Sequence, residues 1–462
     1  MTTVQRKTET NPQAAGQRKP LEGIRIVVAE DFLVLPWASV VLSELGAEVI
    51  RVEAATRMVS RRFTPFPDTE PGAEWWNESG TFSLWYRGKK SVVINMQTEQ
   101  GQKLYHELVA ISDVVATNFR ADVQERLGMV ESTLRAIKKD LIILNVTGFG
   151  STGPWRNYGA FARTIDGYTG LSQLTGYKDG QPVRANASYM DMVGGLNWAQ
   201  ALILALMHRD KTGEGTTIDG SMYETGINCI GPALLEVQKT GVSPERRGNQ
   251  HQWMAPHGVY KCKGLDRYVA IAVSTDEMWR TLVQAMGSPK AAMDARYQTV
   301  EGRWEARDEL DKLVGAWTES RDAKEIFQAL QKVGVAAAPV MDAKDQLLDP
   351  HLRGRDFFEK YTNPKNERIG TRLQVRRPYK FSKTGLNPQW VADFGEHNRY
   401  VLGDLLGHSA EEIDQYISDG IVSELPDVEE LEAPPTATPQ RLVESKSVEF
   451  FDPDYKKILG IQ

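Results

Sequence analysis

Apolar and polar positions along residues 21–225 change period again and again. The run Ile24–Val28 predicts a buried strand, the next stretch a helix that ends at Leu45 with Gly46 just past it, and Val49–Val52 a second strand. The alternation continues with a strand over Ser91–Met96 and a helix with Leu104, Leu108 and Ile111 on one face. A strand over Val114–Ala116, a short helix around Glu125, a helix over Leu134–Lys138 and a strand over Leu141–Val146 follow. Strands alternating with helices imply a parallel sheet covered on both faces, because parallel neighbours need crossover connections. The expected fold class is α/β, an open Rossmann-like parallel sheet over residues 21–225.

The pattern changes after Gly241. Ser243–Gly258 is polar and irregular, Tyr268–Val273 reads as a strand, and amphipathic helices are expected over Glu277–Met286 and Asp308–Trp317. Residues 226–334 are therefore read as a linker and a smaller α+β domain. From Val335 strand-like pieces recur, including Leu373–Tyr379, and residues 335–424 are read as a return to the large domain or a wrap around a partner. A capping box, Ser409 to Glu412, opens one more helix that stops near Gly420. Residues 1–20 read as a disordered arm and residues 425–462 as an acidic, proline-rich extended tail.

Composition narrows the function. The 462 residues carry 55 Lys+Arg against 61 Asp+Glu, a net charge of −6 without the basic excess of nucleic-acid binders. Two cysteines and no CxxC argue against a disulfide framework or a zinc site, and a reducing cytoplasm is expected. Seven histidines are scattered without carboxylates at ligand spacing, so no metal is expected. The most apolar window, Leu196–Met207, is read as a buried helix, too short for a membrane span.

Several chemistries fail on their motifs. The turn after the first strand, residues 29–36, contains no glycine, so the GxGxxG dinucleotide fingerprint is absent. Arg87–Ser91 resembles the end of a P-loop, but Ser83 stands where a glycine is required and Lys90 where Ser or Thr is. No GxSxG elbow occurs. One carboxylate stands out by position: Asp191, where an irregular stretch gives way to a long apolar helix. It has two readings. Either it caps the helix, or the helix amides and dipole hold it ionised as a nucleophile while Gly194 and Gly195 allow close approach.

Blocks along the chain then resemble, in order, the class III CoA-transferases, the family of formyl-CoA transferase and carnitine CoA-transferase. They run from Leu21–Gly23 and Leu45–Glu53 through Gly88–Ser91, Asn118–Arg120, Glu125–Gly128, Gly148–Gly150, Tyr189–Asp191 and Lys211–Gly215 to Ala255–Tyr260, Asp349–His351 and Gly395–His397. The resemblance covers roughly residues 20–425. It implies that Asp191 is the nucleophile that attacks an acyl-CoA thioester, giving an aspartyl anhydride and then an aspartyl-CoA thioester, with acyl-CoA and a carboxylic acid as substrates and no permanently bound cofactor. It places Ile94, Asn118, Phe119, Arg120, Arg126, Val146, Thr147, Gly148 and Phe149 beside CoA, with Arg51, Lys89 and Lys90 as secondary cations. It also implies interlocked dimers, homo- or heterodimeric.

Departures from the pattern shape the acceptor reading. Leu35 precedes Pro36 where the family often has glycine, Thr147 replaces the lysine of formyl-CoA transferase, and residues 247–257 do not reproduce its glycine-rich lid. With Phe32, Leu33 and Trp253 as the substrate pocket, and Trp37, Trp75, Trp76 and Trp85 near its mouth, a larger or aromatic acid of the benzylsuccinate type is expected. Two alternatives stand. A racemase of the same superfamily needs a histidine where Phe161 falls, and a non-catalytic subunit would have no need of Asp191.

Overall fold

The computed structural model describes residues 19–184, 188–385, 390–427, 438–446, 448 and 451–461, apart from the side chain of Asp68. The expected arm and much of the expected tail, residues 1–18 and 428–437, lie outside the described residues. The chain forms two compact units. The first draws on Met1–Tyr168, Asn186–Cys229 and Asp356–Gln462, the second on Thr169–Ala185 and Ile230–Arg355.

The first unit begins with β1 (Arg25–Ala29), α1 (Val34–Glu44), β2 (Glu48–Glu53), α2 (Gly80–Trp85), β3 (Lys89–Val93), α3 (Glu99–Ala110) and β4 (Val114–Thr117). It continues with α4 (Ala121–Arg126), α5 (Glu131–Ile137), β5 (Ile142–Thr147) and α6 (Ala162–Tyr168). After α7 (Leu171–Leu174), which belongs to the second unit, come α8 (Tyr189–Thr212), β6 (Thr217–Ser221) and α9 (Met222–Cys229). The six strands are parallel, in the order β3-β2-β1-β4-β5-β6. This is the Rossmann-like α/β sheet.

Period-two burial explains the layers. Val27, Ile50, Val92, Val115 and Ile143 share one core with Leu104, Tyr105 and Leu108 of α3 and with Val401, Leu402 and Ile413 from the returning chain. α8 lies against α1. Its glycines set that seam: a Cβ on Gly195 would stand 2.7 Å from the Val34 carbonyl oxygen and 2.8 Å from Trp37 Cδ1, and one on Gly194 3.1 Å from Val34 Cγ2. The head of α8 is thereby held against the head of α1.

Several expectations change. The strand expected over Ser91–Met96 starts earlier, at Lys89, and β6 was not anticipated, because Thr217–Ser221 alternates too weakly to read as a strand. α8 has 24 residues, twice the apolar window that marked it, and is long and apolar enough to cross a membrane; here it packs on α1, β5 and α9. Ala336–Pro339 does not rejoin the large sheet. It is β9, pairing with β8 (Tyr268–Ala272), which pairs with β7 (His257–Lys261), so the chain re-enters the first unit only at Asp356. β10 (Phe358–Thr362) and β11 (Thr371–Val375) form their own antiparallel pair, so the Leu373 segment does not extend the main sheet. The capping box is present, with Ser409 Oγ accepting from the Glu412 amide and the helix ending before Gly420. Within 425–462, short helices over Pro439–Glu444 and Tyr455–Leu459 replace the extended reading.

Candidate active site

An open parallel sheet offers its ligand site at the carboxyl ends of its strands, where the strand order reverses. Here that point lies between β1 and β4. Asn118 staples it: its Nδ2 donates to the Asp31 carbonyl at 2.7 Å and its Oδ1 accepts from the Asp31 amide at 3.0 Å. The Asn118 amide is thus engaged in joining two strand ends.

The turn out of β1 rests on buried charge. Glu30 receives Lys89 Nζ and Ser39 Oγ, the latter at 2.8 Å. Asp31 receives Arg57 Nε at 2.6 Å and Ser60 Oγ at 3.2 Å, and lies 3.8 Å from Arg51. Arg51 also pairs with Glu53, which takes two bonds from Arg61 at 2.8 and 2.9 Å. Burial pulls the Lys89 ammonium down to about 8, against the opposing charge of Glu30, and Arg51 and Arg61 hold Glu53 at about 2 despite its burial. Arg51 and Lys89 are therefore internal counter-ions, correcting their reading as secondary cations for CoA; Lys90 lies at the amino-terminal end of β3, away from the strand ends at issue.

Above this network Phe32 adopts φ +60°, a left-handed conformation rare for a bulky residue. Its amide donates to Ser60 Oγ at 3.1 Å, and its carbonyl accepts from the buried Tyr86 hydroxyl at 2.8 Å. The Phe32 ring meets Phe161 edge-on at 5.1 Å. Leu33 caps α1 without a side-chain hydrogen bond. Tyr86→Phe removes the brace and is expected to cost about 1–3 kcal/mol. A lowered thermal midpoint with unchanged circular dichroism would show it; an unchanged midpoint would refute the brace.

Asp191 is the third residue of α8, only 6% exposed, and Ser188 occupies the N-cap without a capping side-chain bond. Burial pushes its carboxyl up to about 7; the neighbouring Asp166 adds to the rise and a hydrogen bond from Ser188 opposes it. The amides and dipole expected to keep this group ionised are outweighed by desolvation. A carboxyl poised near neutrality, poorly solvated and at a helix head is a candidate functional group. Asp166 and Ser188 carried no signal in the sequence.

The remaining expected CoA contacts divide. Thr147 is 7% exposed at the end of β5, and its hydroxyl meets no partner among the described residues, an orphan that a ligand would satisfy. A Cβ on Gly148 would stand 2.3 Å from Ala160 Cβ, so the chain leaves β5 through a gap that only glycine fits. Arg126 is exposed in the last turn of α4 with no carboxylate in ion-pair range among the described residues, whereas Arg120 pairs with Asp122 at 2.8 Å. Ile94, Val146 and Phe119 turn their side chains into packing, and the backbone of Ile94 and Phe119 is hydrogen-bonded within the protein: Ile94 N–H donates to the Glu53 carbonyl at 3.0 Å and the Phe119 carbonyl accepts from Gln124 Nε2 at 2.7 Å.

Phe149 anchors an aromatic shelf that the sequence did not reveal. Trp155, Tyr158 and Tyr168 meet it edge-on at 5.7, 6.2 and 5.1 Å, with Tyr223 at 5.9 Å, and the first three are exposed. The tryptophans expected at the mouth lie elsewhere. Trp75 and Trp76 are buried with Met58, Phe66 and Phe394, and Trp37 is packed edge-on to Trp85 beneath Arg377. Trp253 belongs to the second unit, half exposed beside His251.

Comparison with known proteins gives the family. The model of CoA-transferase family III matches residues 21–398, and the chain belongs to that family. It is 32% identical over 402 residues to succinyl-CoA–D-citramalate CoA-transferase of Chloroflexus aurantiacus, spanning 86% of this chain and 96% of that protein. It is 31% identical to the beta subunit of succinyl-CoA–L-malate CoA-transferase of the same organism, spanning 87% and 98%. Among solved structures, a CAIB/BAIF family protein from Brucella suis superposes with a TM-score of 0.75 at 29% identity, covering 84% of this chain and all of that one. The protein is a CoA-transferase that acts on carboxylic acids, with CoA thioesters as substrates.

Proposed function

We propose that Asp191 carries the transferred group and that the acceptor is a dicarboxylic acid with a bulky or aromatic substituent. The carboxylate attacks the donor thioester carbonyl, releasing CoA thiolate and leaving an aspartyl anhydride. The thiolate attacks the aspartyl carbonyl, which frees the donor acid and leaves an aspartyl-CoA thioester. The acceptor carboxylate attacks that thioester, and the released thiolate takes the acceptor acyl group from the second anhydride, restoring Asp191. Each step exchanges one activated acyl bond for another, so a dry site protects intermediates that water would destroy.

The observation that carries this reading is the burial of Asp191 at the α8 head with its carboxyl held near neutrality. Thr147 and Arg126 are the residues proposed to meet the CoA moiety, with the backbone of Ile94, Phe119, Val146 and Gly148 beside it. Arg120, Asn118 and Phe149 shape the surrounding loops. The succinyl donors named for both Chloroflexus relatives favour a succinyl-CoA-type donor. Phe32, Leu33, Phe161 and the Phe149 shelf favour bulk in the acceptor. An interlocked dimer is the proposed assembly, and the relative that is a beta subunit makes a related partner chain the variant to test.

The test is mass spectrometry of the chain after incubation with succinyl-CoA, where the Asp191 peptide is expected to gain a CoA or succinyl adduct. An adduct elsewhere, or none, defeats the mechanism. A parallel acceptor panel is expected to show faster transfer to benzylsuccinate than to malate or citramalate. Turnover confined to the short acids defeats the acceptor proposal and leaves the nucleophile untouched.

A further inference from the structure

The first unit holds a cavity of about 440 Å³ at the opposite end of its sheet. Glu48 and Lys90, at the amino-terminal starts of β2 and β3, line it together with Lys365, Trp390, Glu396 and His397 of the returning chain. α1 links the two ends, since its head touches the glycines of α8 and the chain just past its tail, at Gly46, forms part of the cavity wall. Its 11 residues amount to about 16 Å of helix. The cavity is therefore remote from Asp191.

Its charges are unevenly satisfied. Glu48 accepts from Arg25 at 2.7 Å and from the Tyr400 hydroxyl at 2.6 Å, while Glu396 pairs with Lys365 and accepts from the Asp393 amide at 2.9 Å. Lys90 has no carboxylate in ion-pair range among the described residues; its ammonium sits 4.3 Å above the Tyr400 ring and acts on Glu48 through space. His397 Nδ1 accepts from the Ser91 amide at 3.3 Å, so the neutral ring carries its proton on Nε2. The Trp390 indole is stacked on Tyr361 at 4.3 Å, and its buried N–H meets no acceptor among the described residues. An ammonium unpaired among the described residues and the His397 ring N–H thus share a cavity whose acids are already engaged, with the Trp390 indole in its wall and its N–H buried behind that wall.

We propose that this cavity is a second ligand site, taking a small anion, a carboxylate or a phosphate, on Lys90 and His397. Its volume is within the range of small-molecule sites, about 300–1,000 Å³. The proposal stands apart from the transfer chemistry and needs no residue of it. The full chain is titrated calorimetrically with inorganic phosphate and, separately, with succinate. Saturable binding of either is expected, and which one binds identifies the headgroup. Lys90→Gln is expected to weaken it about tenfold or more, because a charge-assisted hydrogen bond is lost, while Lys90→Arg retains it. Binding that Lys90→Gln leaves unchanged, or no saturable binding of either anion, overturns the proposal. Should Lys90→Gln unfold, His397→Phe gives the second reading: removal of the ring N–H weakens binding, and an unchanged affinity overturns the proposal equally.

Discussion

Asp191→Asn is expected to abolish CoA transfer and, above pH 7, to make the protein more stable than the wild type. The first effect follows from loss of the proposed nucleophile, with a rate loss of about a thousandfold or more. The second follows from linkage. The carboxyl stands at about 7 in the folded chain against its ordinary 3.8. Folding therefore favours the protonated form, and its stabilising contribution is complete below pH 3.8 and is lost as pH rises through 7. Above pH 7 the wild type bears the full cost of a buried charge, on the order of a few kcal/mol. Asparagine never ionises, so the melting temperature of Asp191→Asn should exceed that of the wild type at pH 8 and converge with it near pH 4. Transfer by the wild type should rise with pH through about 7, as the proposed nucleophile ionises. A variant that transfers CoA at a tenth of the wild-type rate or faster would remove Asp191 from the mechanism, and coincident melting curves at pH 8 would remove the burial argument.

What could be read beforehand follows a physical line. Central strands such as Ile26–Val28 and Ile142–Leu144 are buried on both faces, so their continuous apolar runs declare themselves, and the amphipathic face of α3 does the same. β6 failed that test because Ile218 is its one large apolar residue and its register comes from β5. Ala336–Pro339 looked like a strand and is one, but no local pattern states which sheet a strand joins. Asp191 was legible because a carboxylate at the head of an apolar helix is conspicuous and falls in a block that resembles the family's. Its environment was not legible. Asp166, the brace from Tyr86 and Ser60 to Phe32, and the shelf around Phe149 depend on residues brought together from separate loops. Tryptophan content misled for the same reason: Trp75 and Trp76 are core residues, and the exposed aromatics sit after β5.

The buried charges beneath Phe32 yield the largest expected loss of stability. Glu53 is the shared counter-ion of Arg51 and Arg61 and also accepts from Ser91 Oγ at 2.7 Å. Arg61 keeps the Trp76 carbonyl, Asn77 and the Phe82 face, 4.1 Å away, but has no second carboxylate in ion-pair range among the described residues. Of the carboxylates in ion-pair range among the described residues, Arg51 would retain only Asp31, at 3.8 Å. Glu53→Leu therefore leaves two guanidinium groups, 1% and 5% exposed, without the charge that made their burial tolerable. Breaking one partner from such a network costs about 3–5 kcal/mol, far more than the pair itself contributes. Arg51 also donates to the Glu30 carbonyl, so its displacement loosens the turn that sets Phe32, and transfer should fall in whatever fraction remains folded. The pH dependence has the opposite sign to that of Asp191. Glu53 is held at about 2 against an ordinary 4.5, so its contribution is present above pH 4.5 and lost as pH falls through 2. The gap between Glu53→Leu and the wild type in urea should thus be widest near neutrality and narrow in acid. A midpoint within experimental error of the wild type at pH 7 would show that the two arginines find other partners, and that the turn bearing Phe32 does not depend on this carboxylate.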